Sequence, residues 1–137
     1  MKEQVIRLLE ENRGKSISGS EIAKELRITR AAVWKIISNL REEGYEIEAV
    51  TNKGYCLMEK NDVISEVGIK LHLDTKVLGN DVQVYKTISS TNTFAKELAQ
   101  EGVKEGCLIV SEEQTNGRGR RGRSFYSPAM SGIYMSI

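Results

Sequence analysis

Seven consecutive residues, Gly117-Arg118-Gly119-Arg120-Arg121-Gly122-Arg123, concentrate the chemistry of this chain. Four arginines alternate with three glycines, and no acidic residue interrupts them. A guanidinium is planar, permanently charged and matched to the oxygens of phosphate and carboxylate. Glycine permits dihedrals closed to other residues and lets backbone approach a ligand closely. The pattern suits a mobile loop that grips an anion. Cys107-Leu108-Ile109-Val110 precedes it and Ile133-Tyr134-Met135 follows it, so the loop is predicted to join two strands. A Walker A phosphate loop is excluded, because no Gly-Lys-Ser/Thr follows the glycines. A solvated Arg-rich surface and an RNA-binding Arg/Gly tract are the competing readings, although such tracts are usually longer and lie in low-complexity surroundings.

A second constellation is Ser90-Thr91-Asn92, with Gln114 a few residues ahead of the arginines. Residues 82–86 alternate like a strand, and a helix is predicted over 93–101 with Phe94, Leu98 and Ala99 inward. The three polar residues thus fall at a strand-to-helix turn. There a hydroxyl can simply cap the helix, and free N–H groups with hydroxyls can also hold a small polar ligand head. Residues 63–73 are predicted to include a helix, Gly79-Asn80-Asp81 a turn, 107–113 a strand, and 132–137 the start of another.

The first sixty residues follow a different pattern. Residues 2–11 read as a helix with Val5, Ile6, Leu8 and Leu9 on one face. Ser18-Gly19-Ser20-Glu21 has capping-box spacing and opens a second helix. Thr29 is a good N-cap for a third, running to about Glu43, with Val33, Ile36, Ile37 and Leu40 facing the core. Two short helices joined by a three- to four-residue turn are the helix-turn-helix signature. Residues 45–50 and 54–58, with turn chemistry at Thr51-Asn52-Lys53-Gly54, add a hairpin wing. A recognition helix enters the major groove by its N-terminal residues. Thr29, Arg30, Ala31, Ala32, Trp34 and Lys35 are therefore the candidate DNA contacts, with Lys53 at the wing tip reaching the backbone. A winged helix used only for protein contacts is the alternative.

The chain of 137 residues has room for one ordinary domain or two small ones. The polar stretch Glu59-Lys60-Asn61-Asp62 divides it into 1–60 and 61–137. A net charge of +1 does not advertise nucleic-acid binding, so any such binding must come from local placement of charge. Cys56 and Cys107 lack Cys-x-x-Cys spacing and read as small buried hydrophobes, and His72 has no partner cluster, so no metal site is predicted. Mean hydropathy is −0.37, and no apolar run nears the roughly 18 residues of a membrane span. With a polar N-terminus, a soluble cytoplasmic protein without membrane contact is expected.

Ser90-Thr91-Asn92 followed by Gln114-x-x-Gly117-Arg118-Gly119-Arg120-Arg121-Gly122-Arg123 resembles the biotin protein ligases. Ser18-Gly19, Thr29-Arg30-Ala31-Ala32-Val33 and Lys53-Gly54-Tyr55 are similar to the repressor module of that family's bifunctional members. The resemblance implies an α+β chain, a winged helix-turn-helix followed by the first part of a class II synthetase-like mixed α/β ligase domain. It implies biotin and ATP as substrates, with Mg2+ accompanying ATP. It further implies biotin contacts from Ser90, Thr91, Asn92 and Gln114, and a clamp on biotin's carboxylate and the adenylate phosphate from Arg118, Gly119 and Arg120, the two arginines being catalytic. Operator DNA, a biotin carboxyl carrier protein and a homodimer formed on liganding are the implied partners. The family's later adenylation lysine has no counterpart, since no lysine follows Lys104. The chain is therefore expected to be a truncated ligase domain with impaired catalysis, or to cover an open apolar edge by dimerising or exchanging strands. The second functional reading is a DNA-binding regulator with a partial, non-catalytic sensor domain.

Overall fold

A computed structural model describes residues 1–137, and the chain divides into Met1–Val63 and Ile64–Ile137.

In the first unit, α1 (Lys2–Glu11), α2 (Gly19–Leu26) and α3 (Arg30–Glu42) gather around Val5, Leu9, Ile22, Val33, Ile37 and Leu40. Their apolar spacing requires this, because each helix has only one stripe to bury. Ile36 departs from its expected core position and is half-buried. The α2 capping box forms in full: Ser18 Oγ accepts from Glu21 N at 3.0 Å, and Glu21 Oε2 accepts from Ser18 N at 2.9 Å. Arg27 then turns left-handed at φ 53°, and Thr29 Oγ1 caps α3 by accepting from Ala32 N at 3.1 Å. The helix-turn-helix is thus set by three local signals within a dozen residues.

The wing is β2 (Ile47–Val50) paired antiparallel to β3 (Gly54–Leu57), with Val50 opposite Gly54. A two-residue strand, β1 (Ser16–Ile17), pairs on the other side of β3, giving the order β1-β3-β2. Gly54 is required twice over: its φ is 108°, and a Cβ there would collide with the Ile17 carbonyl and Ser18 Cα. Arg13 binds the buried Glu10 carboxylate at 2.8 Å and reaches the Asn61 carbonyl at 2.9 Å, tying α1 to the chain leaving the wing. A buried carboxylate needs such a partner.

In the second unit, α4 is shorter than the predicted segment and spans Glu66–Leu71. β4 (Val82–Ile88) runs parallel to β5 (Leu108–Gln114), in register from Val82 opposite Leu108 to Ile88 opposite Gln114. Parallel pairing demands a crossover, and α5 (Thr91–Gln100) supplies it. β6 (Tyr134–Ser136) lies antiparallel on the far side of β5, for an order of β4-β5-β6. Val82, Leu108 and Val110 form the core, with Ile64, Ile69 and Val84 packed on it. Phe94 meets Tyr85 edge to face with centroids 5.3 Å apart. Leu98, four residues on, shares that side and is half-buried, whereas Ala99 lies a hundred degrees further round and is exposed, not inward as its sequence position suggested. Both cysteines are free and buried, and no helix is long and apolar enough to cross a membrane.

Candidate functional site

The register of β4 against β5 sets the geometry of the first site. Because Ile88 faces Gln114, the Ser90-Thr91-Asn92 turn stands level with the end of β5. The ladder continues past the strand ends: Thr115 N donates to Ile88 O at 2.9 Å and Asn116 N to Ser89 O at 2.8 Å. Ser90 is the N-cap of α5, buried, with Oγ accepting from Thr93 N at 3.4 Å. Thr91 is buried at the first position of the helix, and Asn92 is exposed.

Gln114 links this turn to the arginine segment. Its Oε1 accepts from Thr91 N at 2.8 Å and from Thr91 Oγ1 at 3.2 Å. Ser136 Oγ donates to Thr91 Oγ1 at 2.9 Å. The amide nitrogen Nε2 donates to Ser127 Oγ at 3.0 Å, and Ser127 Oγ donates on to the Phe125 carbonyl at 3.1 Å. Gln114 N also donates to Ser127 O at 3.0 Å. The donors and acceptors of one amide thus join a helix start, two strands and the loop base.

Residues 117–125 fold back as a small hairpin between the two strands. Arg118 bridges Ser124, Gly119 N donates to Arg123 O at 2.7 Å, and Phe125 N donates to Gly117 O at 2.8 Å. The tip is a single 3-10 turn, Arg120–Gly122, in which Arg121 adopts φ 58° and Gly122 φ 74°. The glycines serve different ends. A Cβ on Gly117 would strike the Phe125 carbonyl and Ser127 Oγ, whereas Gly122 supplies the left-handed turn. Arg118, Arg120, Arg121 and Arg123 are all exposed, and no hydrogen bond or ion pair engages their guanidinium groups. Four uncompensated cations on so short a hairpin repel one another, and an anion among them relieves that repulsion.

Beside the turn, a cavity of about 320 Å³ is lined by Asn92, Ala95, Ile109, Ser136 and Ile137, with Cys107 at its edge. Cys107 Sγ donates to Asp81 Oδ2 at 3.5 Å, which also accepts from Gln83 Nε2 at 3.0 Å. Burial pushes the Cys107 thiol up, while the Gln83 hydrogen bond holds the Asp81 carboxyl below its usual range. A buried thiol held against a carboxylate in this way is poorly placed to act as a nucleophile.

In the first unit, a groove of about 720 Å³ runs between the start of α3 and the wing. Arg30, Ala31, Trp34 and Lys53 line it, as do Ser18, Ser20, Asn52 and Tyr55, and no acidic residue does. Trp34 is 62% exposed, unusual for an apolar indole with no core to enter. Lys35 is exposed and Ala32 half-buried, both outside the groove lining, and the Thr29 hydroxyl is committed to its cap. Ser127 and Ser136 were missed by sequence reasoning, because each enters through a strand register or turn contact that no local pattern encodes. Ser18, Ser20, Asn52 and Tyr55 stand in local capping and wing motifs, but their place in the groove was not legible from them. Nowhere do three or more His, Cys, Asp or Glu side chains converge as they would to hold a metal ion.

Residues 2–56 match an HTH domain family, and residues 84–137 match the biotin/lipoate A/B protein ligase family. The chain is 42% identical over 137 residues to the "Bifunctional ligase/repressor BirA" of Bacillus spizizenii, covering 100% of this chain and 42% of that protein. It is 41% identical over 137 residues to the protein of the same name from Bacillus subtilis, again with 42% of that protein covered. With the Escherichia coli protein of that name it shares 36% identity over 124 residues, 90% of this chain and 37% of that protein. The chain thus spans about 42% of the length of the Bacillus relatives it matches.

Proposed function

We propose, for a chain that belongs to the bifunctional ligase/repressor family of biotin protein ligases, that its second unit binds biotin and holds biotinyl-adenylate. One observation carries the reading: Gln114 joins the Ser90-Thr91-Asn92 turn to the base of the four-arginine hairpin. A ureido ring offers two N–H donors and one carbonyl, and the amide and hydroxyls at Thr91, Gln114 and Ser136 can exchange their mutual hydrogen bonds for it. Ser90 fixes the turn as its cap, and Asn92 is exposed beside the cavity. Gly119, between Arg118 and Arg120, lets the hairpin lie close over the ligand.

The reaction proposed for the whole protein has two steps. Biotin's carboxylate oxygen attacks the α-phosphorus of ATP, forming a mixed anhydride and expelling pyrophosphate. The amine of a lysine on a biotin carboxyl carrier protein then attacks the acyl carbon, releasing AMP and a proton and leaving an amide. Negative charge develops on phosphate in the first step. Arg118 and Arg120 would meet it with preorganised guanidinium groups. Closing the hairpin would keep water from hydrolysing the anhydride. Mg2+ enters with the triphosphate. No three His, Cys, Asp or Glu side chains of this chain converge to ligate it.

The first unit binds operator DNA in this proposal, by way of Thr29, Arg30, Ala31, Ala32, Trp34, Lys35 and Lys53. Liganding favours a homodimer that spans two half-sites, and the protein works in the cytoplasm. Calorimetric titration of this chain with biotin and with biotinyl-adenylate tests the site. Binding of both, with the adenylate the tighter, is the expected result. Absence of binding by either ligand would remove the pocket from residues 90–123.

The acid-free groove of the first unit favours a second reading, a DNA-binding regulator whose other unit senses without catalysis. Under it, operator binding is unaffected by ATP turnover.

A further inference from the structure

Ser127, at the base of the arginine hairpin, is almost wholly buried and bonded in two directions. It is 1% exposed. Its Oγ accepts from Gln114 Nε2 at 3.0 Å and donates to the Phe125 carbonyl at 3.1 Å. Its carbonyl accepts from Gln114 N at 3.0 Å, closing a bridge between the two residues. Phe125 in turn pairs with Gly117, and a Cβ on Gly117 would strike both Ser127 Oγ and the Phe125 carbonyl. The hydrogen bonds from Gln114's side chain to the hairpin base therefore run through one buried hydroxyl.

We infer that Ser127 is a positioning residue, the latch through which occupancy of the Thr91–Gln114 pocket sets the conformation of the 117–125 hairpin. The inference rests on the biotin-binding reading for the nature of the occupant, but the latch itself rests on the hydrogen bonds. Gln114 has one amide plane. A ligand N–H that donates to Oε1 in place of Thr91 reorients that plane and moves Nε2 with it. Ser127 Oγ must then follow or lose its donor. If it follows, the Phe125 carbonyl moves as well, and the hairpin base with it. A buried hydroxyl left without its partner is costly, so following is favoured over breaking. Rearrangement at the turn is thereby transmitted to four arginines that the ureido ring does not reach. Ser127→Ala cuts the path in the middle and leaves Thr91, Gln114 and the arginines in place.

Trypsin reads the outcome directly, because Arg118, Arg120, Arg121 and Arg123 are cleavage sites within the hairpin. The 137-residue chain and its Ser127→Ala variant are digested with and without biotin, and the hairpin cleavages are followed by mass spectrometry. Cleavage within residues 1–63 serves as the internal control. Biotin occupancy of each protein is measured by calorimetry. In the wild type, saturating biotin is expected to slow hairpin cleavage at least tenfold. The variant is expected to be cut about tenfold faster without ligand, and biotin, bound to saturation, should slow it less than twofold. Ser127→Thr, which restores the hydroxyl, should recover part of the protection. Equal biotin protection in wild type and Ser127→Ala would overturn the inference. If the wild type binds no biotin, the functional reading falls, and the ligand-free rates then decide the latch: faster cleavage of the variant keeps it, equal rates remove it. Should Ser127→Ala not fold, amide exchange on the wild type decides, with biotin slowing Phe125 and Thr91 together or, against the inference, Thr91 alone.

Discussion

Gln114 and Thr91, 23 residues apart in sequence, are joined twice: Gln114 Oε1 lies 2.8 Å from the Thr91 backbone nitrogen and 3.2 Å from its hydroxyl. Thr91 opens α5, where the first N–H groups have no partner inside the helix. Gln114 therefore closes a helix end from a neighbouring strand. Replacing it by Leu keeps the volume and removes both bonds, along with the donor to Ser127. A buried donor left unsatisfied costs about 1–3 kcal/mol. Urea unfolding of Gln114→Leu should show a loss in that range with an unchanged m value. A loss below about 0.5 kcal/mol would mean that solvent replaces the amide at little cost.

The acid limb of the stability curve has an identifiable contributor. Hydrogen bonds from the Ser18 backbone and side chain hold the Glu21 carboxyl below its ordinary value. A depressed carboxyl stabilises the fold above its unfolded value, near 4.3 for glutamate, and the contribution disappears as pH falls through the lower folded value. Glu21→Gln keeps the capping geometry but cannot titrate. Thermal melts from about pH 6 down to pH 3 should show a shallower acid decline for the variant than for wild type. Parallel declines would assign the acid limb to other carboxylates. Glu21 is fully exposed, so the difference should also shrink with added salt.

The ease of reading this sequence tracked the distance over which each interaction acts. The Ser18–Glu21 box and the Thr29 cap each close over three residues, and both were legible. The arginine run announced itself by composition. Three other features did not. β1 is two residues in a polar stretch, visible only once Ser16 finds Cys56. Ser127 carries no local signal, because its importance lies in the register that sets it against Gln114. The hairpin shape of the arginine run was not legible, since it depends on Phe125 bonding back to Gly117 across seven intervening residues.

Arg120 is exposed at the start of the 3-10 turn, and its guanidinium has no partner inside the protein. If it serves phosphate, Arg120→Gly should weaken biotinyl-adenylate far more than biotin. A charge-assisted hydrogen bond contributes about 1.5–3 kcal/mol, so the adenylate should lose roughly 10- to 100-fold in affinity. Biotin affinity should change less than about threefold. Competition calorimetry with both ligands makes the comparison. Equal weakening of the two ligands would move Arg120 from the phosphate to the biotin end of the site.

Arg30 and Lys53 line the same groove from α3 and from the wing, and the two charges should do different work. Arg30 lies at the first position of α3, next to Ala31, whose small side chain permits close approach to a base edge. Lys53 sits in the turn between β2 and β3, where a phosphate of the flanking backbone is the natural partner. Arg30→Ala should therefore cost about 1–3 kcal/mol on the specific operator and relax preference at one base position. Lys53→Ala should weaken specific and non-specific DNA alike and reduce the salt slope by about one. The single tryptophan, Trp34, lines the same groove and gives a fluorescence signal for both titrations. A uniform loss for Arg30→Ala across all sequences would make it a phosphate contact. An unchanged salt slope for Lys53→Ala would take the wing off the DNA.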